Sequence, residues 1–193
     1  MWAEQALERF IDEKPRPQYV LDIGSGTGEH AKVMHDAGIE VTTCDINGKA
    51  DISADFNIVN LNYTDGFDGI WASHVLEHQP NPGHFLEKCL NLLMNDGLFA
   101  VTVPPRKDEI VGGHVTLWNQ GLLLYNLVLA GFDCRKARVS PLYEGYNISV
   151  LVRKVRRPQV PLRMDAGDIE ALAEYFPFPV EQGFNGWGRS CAW

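Results

Sequence analysis

Apolar residues recur in short unbroken runs separated by stretches of helical period. "QYVLDIG" (18–24) is one such run, as expected of a strand buried on both faces. "EHAKVMHDAG" (29–38) then has the period of a helix and closes on Gly38, a C-terminal signal. "IEVTTCDI" (39–46) is rich in β-branched residues and predicts a second strand, with "ADISADF" (50–56) a short third. "FDGIWASH" (67–74) predicts a fourth strand, "NPGHFLEKCLNLLMNDG" (81–97) a helix with a glycine stop, and "LFAVTVPP" (98–105) a fifth strand. "TLWNQGLLLYNLVLAGF" (116–132) predicts a further helix, and "DCRKARVS" (133–140) and "YNISVLVRKV" (146–155) two late strands. Residues 3–12 suit a short amphipathic helix ended near Pro15 and Pro17.

Strands alternating with helices predict an α/β fold, a Rossmann-like, doubly wound, mostly parallel sheet of about seven strands with helices on both faces. Only a loop separates the last two strands, so an antiparallel edge strand is expected. The chain changes character near residue 157. Residues 1–157 are expected to form the main domain, and 158–193 an appendage too short to fold alone. That appendage holds a potential helix, "MDAGDIEALAEYF", and an irregular stretch with Phe176, Phe178, Phe184, Trp187 and Trp193. So many aromatics need cover, either on the same domain or in a homodimer interface.

Composition narrows the choices. The chain has 193 residues, 45% of them hydrophobic, and a net charge of -8, so nucleic acid is a poor default partner. One basic run, "VRKVRRPQVPLR" (152–163), goes against this average and reads as a solvated strand end and linker. Cys44, Cys89, Cys134 and Cys191 have neither zinc-site nor disulfide-framework spacing and read as reduced thiols of a cytoplasmic protein. The first residues are charged and helix-like, unlike a signal peptide, and no membrane span is expected.

The chemistry starts in the turn after the first strand. Gly24, Gly26 and Gly28 are spaced G-x-G-x-G, where glycine permits positive φ and lets a ligand lie against bare backbone. A dinucleotide fingerprint needs a glycine at position 29, and this chain has Glu29, a poor neighbour for a pyrophosphate. No Gly-Lys-Ser/Thr follows, which excludes a P-loop. Asp22, two residues before the first glycine, can take a hydrogen bond from a ligand ammonium. Asp45, closing the second strand, sits where an acid that binds ribose hydroxyls belongs, since a carboxylate can accept from both hydroxyls of a cis-diol. The implied ligand has an amino group, a ribose and no pyrophosphate. Read without a ligand, the glycines would serve only a tight turn and Asp45 only a strand-end cap.

"VLDIGSGTG", "CDI", "ADF" and "FDGIWASHVLEH" together resemble the class I S-adenosylmethionine-dependent methyltransferases, over roughly residues 18–155. The resemblance implies S-adenosyl-L-methionine as cofactor, with S-adenosyl-L-homocysteine as product. It implies that Asp22, Gly24, Ser25, Gly26 and Gly28 back the methionine part and that Asp45, with Ile46 beside it, holds the ribose. Asp55 and Phe56 would meet the adenine, and Ser73 and His74 would border the cofactor near the acceptor. Methyl transfer is an in-line displacement from an activated donor, so alignment and exclusion of water are the main tasks. A hydroxyl acceptor also needs a base, for which histidine is suited near pH 7.

Of the six histidines, His74, His78 and His114 are the base candidates, because the ends of strands four and five face the site in this architecture. Each also suits a packing or loop-anchoring role. His30, His35 and His84 read as surface or capping residues. His74 and His78 would share a face if "HVLEH" were helical, but with no third ligand in view no metal is assigned. "PPRKDEIVGGH" (104–114) has the composition of a lid, in which Arg106 or Lys107 would meet an anionic acceptor or pair with Asp108 and Glu109. Tyr143 and Tyr146 are candidates for the wall of an acceptor pocket. The expected activity is methyl transfer to a small-molecule acceptor, an oxygen of a sugar or secondary metabolite. The alternatives are a protein or RNA methyltransferase, or a non-catalytic domain that binds the cofactor or a partner.

Overall fold

The computed structural model describes residues 3–61, 66–140, 147–186 and 189–193. Helix α1 (Glu4–Asp12) precedes β1 (Tyr19–Ile23), α2 (Glu29–Asp36), β2 (Glu40–Asp45) and β3 (Ile52–Ser53). Then come β4 (Phe67–Ser73), a 3-10 turn (Leu76–His78), α3 (Pro82–Leu92) and β5 (Leu93–Val103). Helix α4 (Gln120–Leu129), β6 (Arg138–Val139), β7 (Ile148–Arg153) and the short α5 (Asp168–Leu172) complete the order.

The seven strands form one sheet in the order β3-β2-β1-β4-β5-β7-β6. Strands β1 to β5 pair in parallel, while β7 runs antiparallel to both β5 and β6, so the antiparallel pairing falls at the edge the sequence suggests. The order reverses between β1 and β4, which opens a crevice at their carboxyl ends.

Alternating residues of each strand feed two cores, as strands covered on both faces require. Leu21, Ile23, Ile70, Phe99 and Val101 pack with Phe85 and Leu86 of α3 and Leu123, Leu124 and Leu127 of α4. Val20, Trp71, Leu98 and Ala100 pack with Leu7 and Phe10 of α1 and Met34 of α2. The asparagines before α3 and α4 start those helices: Asn81 accepts from His84 N and Asn119 from Leu122 N, satisfying otherwise orphaned donors. Three thiols are buried, and all four cysteines are free. Among the described residues, no helix is long and apolar enough to cross a membrane.

The structure departs from the sequence reading in places. The chain turns into β5 at Leu93, so "LMNDG" does not continue α3, and Asp96 takes φ 61 in an irregular start to the strand. Only Ile52–Ser53 and Arg138–Val139 are regular strand in the segments read as the third and sixth strands. His30 is no mere surface residue: it accepts from Trp71 Nε1 at 3.2 Å and packs edge-on against that ring.

In the tail, Leu172, Tyr175 and Phe176 lie in the α3/α4 core. Phe184 packs edge-on against Phe176 and Phe178, and Arg9 sits over the Trp193 ring. Trp187, Tyr143 and Tyr146 lie outside the described residues.

Gly121 shows how closely the tail approaches α4. Its amide donates to Asn185 O at 2.9 Å, and a Cβ there would come within 2.6 Å of the Asn185 carbonyl carbon. Alanine at a helical position is otherwise worth about 1 kcal/mol over glycine. Gly121→Ala is therefore expected to reverse that sign, lowering the melting temperature and exposing the C-terminal segment to limited proteolysis. A variant as stable as the parent with an equally protected tail would refute the contact.

Candidate functional site

The glycine turn is built as its spacing demands. Gly24, Gly26 and Gly28 take φ 71, 54 and 81, values that L side chains rarely adopt. Gly24 N and Ser25 N donate to Cys44 O at 2.8 and 3.3 Å, tying the turn to the end of β2. A Cβ on Gly24 would meet Val75 Cγ2 at 2.9 Å.

Asp45 is the fastener between β2 and the turn. Its Oδ2 accepts from Gly26 N and its Oδ1 from Asn47 N, both at 2.8 Å. Each oxygen retains capacity for a second donor. Asp22, one residue before the end of β1, is 1% exposed, and its Oδ2 has no partner among the described residues. Burial, with the charge of Asp45 adding to it, pushes the Asp22 carboxyl up to about 7.

Two cavities open along this edge of the sheet. The first, about 510 Å³, is lined by Gly24, Asp45, Ile46, Asp55, Phe56, His74, His78 and Gln79 among others. Ile46 is exposed there. Asp55 accepts from Asn57 N and Nδ2, and Asn57 Nδ2 also donates to Gln79 Oε1, which joins the segment after β3 to the 3-10 turn. Phe56 turns largely into the core, edge-on to Phe85 at 5.1 Å with Lys88 over its ring. Asp22, Ser25, Gly26, Gly28 and Ser73 are not among the lining residues. Ser73 instead shares a buried hydrogen bond with Thr102 at 3.0 Å.

The second cavity, about 450 Å³, is lined by His74, Arg106, His114, Trp118 and the apolar side chains of Ile110, Val111, Val115 and Leu117. These four aliphatic residues are all exposed. Arg106 lies 3.6 Å from Asp108. The loop 104–114 is anchored where it leaves β5 and where it returns: Arg106 N donates to Trp118 O, and Val115 N to Glu77 O.

His74 lines both cavities. Its backbone has φ 55, unusual for a residue with a side chain, and follows directly on β4. Its Nε2 lies 2.7 Å from Asn147 Oδ1 and its Nδ1 3.3 Å from Glu77 Oε1. "HVLEH" forms a 3-10 turn only over its last three residues, so His74 and His78 do not stack on one helical face. His78 instead turns toward His114, with ring centroids 5.0 Å apart.

Glu77 and Asn147 were missed in the sequence. Both are buried beside His74. Glu77 carried a signal, an acid enclosed by Leu76 and two histidines. Asn147 carried none, because it reaches His74 only through the insertion of β7 beside β5.

The family model described as a methyltransferase domain matches residues 3–138. The chain belongs to this family. It is 34% identical to a ubiquinone biosynthesis O-methyltransferase of Glaesserella parasuis, covering 48% of this chain and 49% of that protein. The chain thus spans about half the length of the curated relative it matches. Among solved structures, it resembles a Burkholderia thailandensis 1,6-didemethyltoxoflavin-N1-methyltransferase with bound S-adenosylhomocysteine. The TM-score is 0.66 at 20% identity, over 79% of this chain and 77% of that one. An Archaeoglobus fulgidus S-adenosylmethionine-dependent methyltransferase gives 0.63 at 19% identity, over 78% and 92%. At these identities the likeness is one of fold. The methyltransferase domain model ends before β7, so Asn147 lies beyond it.

Proposed function

We propose that this methyltransferase domain transfers a methyl group from S-adenosylmethionine to an oxygen of a small molecule. One observation carries the reading: His74 lines both cavities, so a donor in the first faces an acceptor in the second across one side chain.

The first cavity, together with the glycine turn that meets it at Gly24, fits the donor. Asp22 presents an orphaned buried carboxylate oxygen suited to the ammonium of a methionine moiety. Gly24, Ser25, Gly26 and Gly28 let that moiety run against backbone, and a Cβ on Gly26 or Gly28 would meet nothing within 4 Å, so the space beside them is open. Asp45, with Ile46 next to it, would hold the ribose, and Asp55 and Phe56 would border the adenine. Ser73, bonded to Thr102, would set the end of β4 from which His74 projects.

The bound sulfonium supplies a methyl already activated for displacement. The work left to the chain is positioning. Glu77 and Asn147 hold the His74 ring from two sides, beside the place where the acceptor loses its proton. Of the other base candidates, His78 lines the first cavity and His114 the second. Trp118 and the aliphatic lip at Ile110, Val111, Val115 and Leu117 would cover an acceptor with an apolar body and exclude water.

The test is calorimetric titration with S-adenosylhomocysteine and, in parallel, NADH. Micromolar binding of the first and none of the second is expected, because Glu29 opens α2 where a pyrophosphate would have to sit. Binding of NADH alone would overturn the reading.

A further inference from the structure

Beside His74 the fold assembles a set of groups that methyl transfer does not by itself require. Glu77, His78 and His114 each offer a ligand atom, and these atoms all lie within 4.8 Å of one another. The sequence places only Glu77 and His78 side by side. The third ligand, His114, joins them because the chain returns after β5.

We propose that Glu77, His78 and His114 form a site for a divalent transition metal at the junction of the two cavities, with an open position that takes the acceptor's oxygen. The metal half of this proposal stands on its own; the acceptor half rests on the methyltransferase reading.

Three observations point to an ion. Glu77 is 1% exposed, and neither of its carboxylate oxygens receives a hydrogen bond among the described residues. Its neighbours are the rings of His74, 3.3 Å away, and His78, 3.9 Å away. Burying a carboxylate without donors is costly, and a cation offsets that cost.

The second observation is the orientation of His78. Its Nδ1 lies 2.7 Å from Gly113 O. A carbonyl only accepts, so Nδ1 carries the hydrogen and donates it. That leaves the lone pair on Nε2, the nitrogen on the Glu77 side. A backbone carbonyl fixing the tautomer in this way is the usual outer-shell support of a metal-bound imidazole.

The third is the loop that delivers His114. Gly113 takes φ 82, and a Cβ there would crowd the His78 ring at 3.1 Å. The next residue is His114. Beyond it, Val115 N and Thr116 N both donate to Glu77 O, at 2.9 and 3.2 Å. One turn therefore orients the second ligand, supplies the third, and is stapled to the backbone of the first.

A tetrahedral ion with bonds of ~2.1 Å holds its ligand atoms about 3.4 Å apart, so binding would draw the set together by roughly an ångström. Side-chain torsions can supply that, because His78 is exposed and His114 half-buried. Two imidazoles and one carboxylate suit zinc, iron(II), cobalt or manganese better than magnesium or calcium. Three protein ligands leave at least one position free.

His78 borders the first cavity and His114 the second, so the free position lies where an acceptor meets the donor. A hydroxyl bound there gives up its proton to His74 more readily. Its oxygen pair forms the new bond to methyl as the methyl–sulfur pair returns to sulfur, and the ion is neither oxidised nor reduced. The acceptor class inferred is a small alcohol or phenol with an apolar body.

The experiment is a titration of metal-stripped, tag-free protein with Co²⁺, followed by its visible absorption, with Zn²⁺ as competitor. One equivalent is expected to bind at micromolar concentration or tighter with the intense bands of a low-coordinate site. Acetohydroxamate, a small oxygen chelator, is expected to shift those bands. His114→Ala and Glu77→Gln are each expected to weaken binding at least about tenfold, and His84→Ala to leave it unchanged. His114 is not a core residue, so its variant tests the site even if the Glu77 variant fails to fold. Absence of Co²⁺ bands, or wild-type affinity in His114→Ala, would overturn the metal site. An unshifted spectrum with acetohydroxamate would overturn the open position. S-adenosylhomocysteine titrated into the same preparation separates the claims. Binding of it without cobalt leaves the methyltransferase reading and removes the metal; cobalt binding without it does the reverse.

Discussion

Asp22→Asn is expected to make the protein more stable at pH 8 and to weaken S-adenosylhomocysteine binding about a hundredfold. Both effects follow from one buried carboxyl. Its pKa rises from 3.8 to about 7, chiefly through burial and then through the charge of Asp45. The folded state therefore holds a proton more tightly than the unfolded chain. Below about pH 4 both states are protonated, and ionisation costs the fold nothing. Between pH 4 and 7 the cost grows, and above 7 it is fully present, on the order of 2–4 kcal/mol. Asparagine cannot ionise, so the variant's gain in melting temperature is expected at pH 8 and should vanish near pH 4.

The loss of binding has the same origin. An ammonium beside Asp22 offsets the burial cost of the carboxylate, and a charge-assisted hydrogen bond of this kind is worth about 1.5–3 kcal/mol. Wild-type affinity is accordingly expected to rise as pH goes from 6 to 8, with proton release on binding near pH 6.5. Calorimetry in buffers of different ionisation enthalpy reads that release directly. A variant that binds as tightly as wild type would show that Asp22 serves only the fold. A variant that gains no stability at pH 8 would show that the carboxylate already has a donor.

The parts of this molecule that the sequence makes legible depend on local periodicity or on backbone that only one residue type allows. The strand runs, the helix after the turn and the three glycines with positive φ all belong to this class. Asp22 and Asp45 were legible because their place follows from strand ends in a doubly wound sheet. What stayed hidden depends on contacts between distant segments. His114 reads as one of three base candidates, but its contact with His78 exists only because the turn at Gly113 lays the two rings together. Asn147 reaches His74 only because β7 enters the sheet between β5 and β6. The start of β5 was misread because "LMNDG" continues the composition of α3. The strand begins there through pairing of Leu93 with Phe67, which no local pattern announces.

Asp45→Ala is expected to cost ten- to a hundredfold in affinity, and the reason separates it from the Asp22 variant. The side chain does two things at once. It accepts from Gly26 N and Asn47 N, which fixes the glycine turn against β2. On the proposed assignment it also presents its remaining lone pairs to the ribose hydroxyls, two charge-assisted bonds that alanine removes. A ligand that keeps ribose and adenine but lacks the amino-acid moiety, 5′-methylthioadenosine, tells the acids apart. Asp22→Asn should leave its affinity near wild type, because no ammonium is present to lose. Asp45→Ala should lose as much with this ligand as with S-adenosylhomocysteine. If Asp45→Ala instead lowers the melting temperature of the free protein while both affinities hold, Asp45 is a turn fastener and the ribose is bound elsewhere. If both variants lose both ligands equally, the turn acts as one rigid unit and the division of labour between the acids falls.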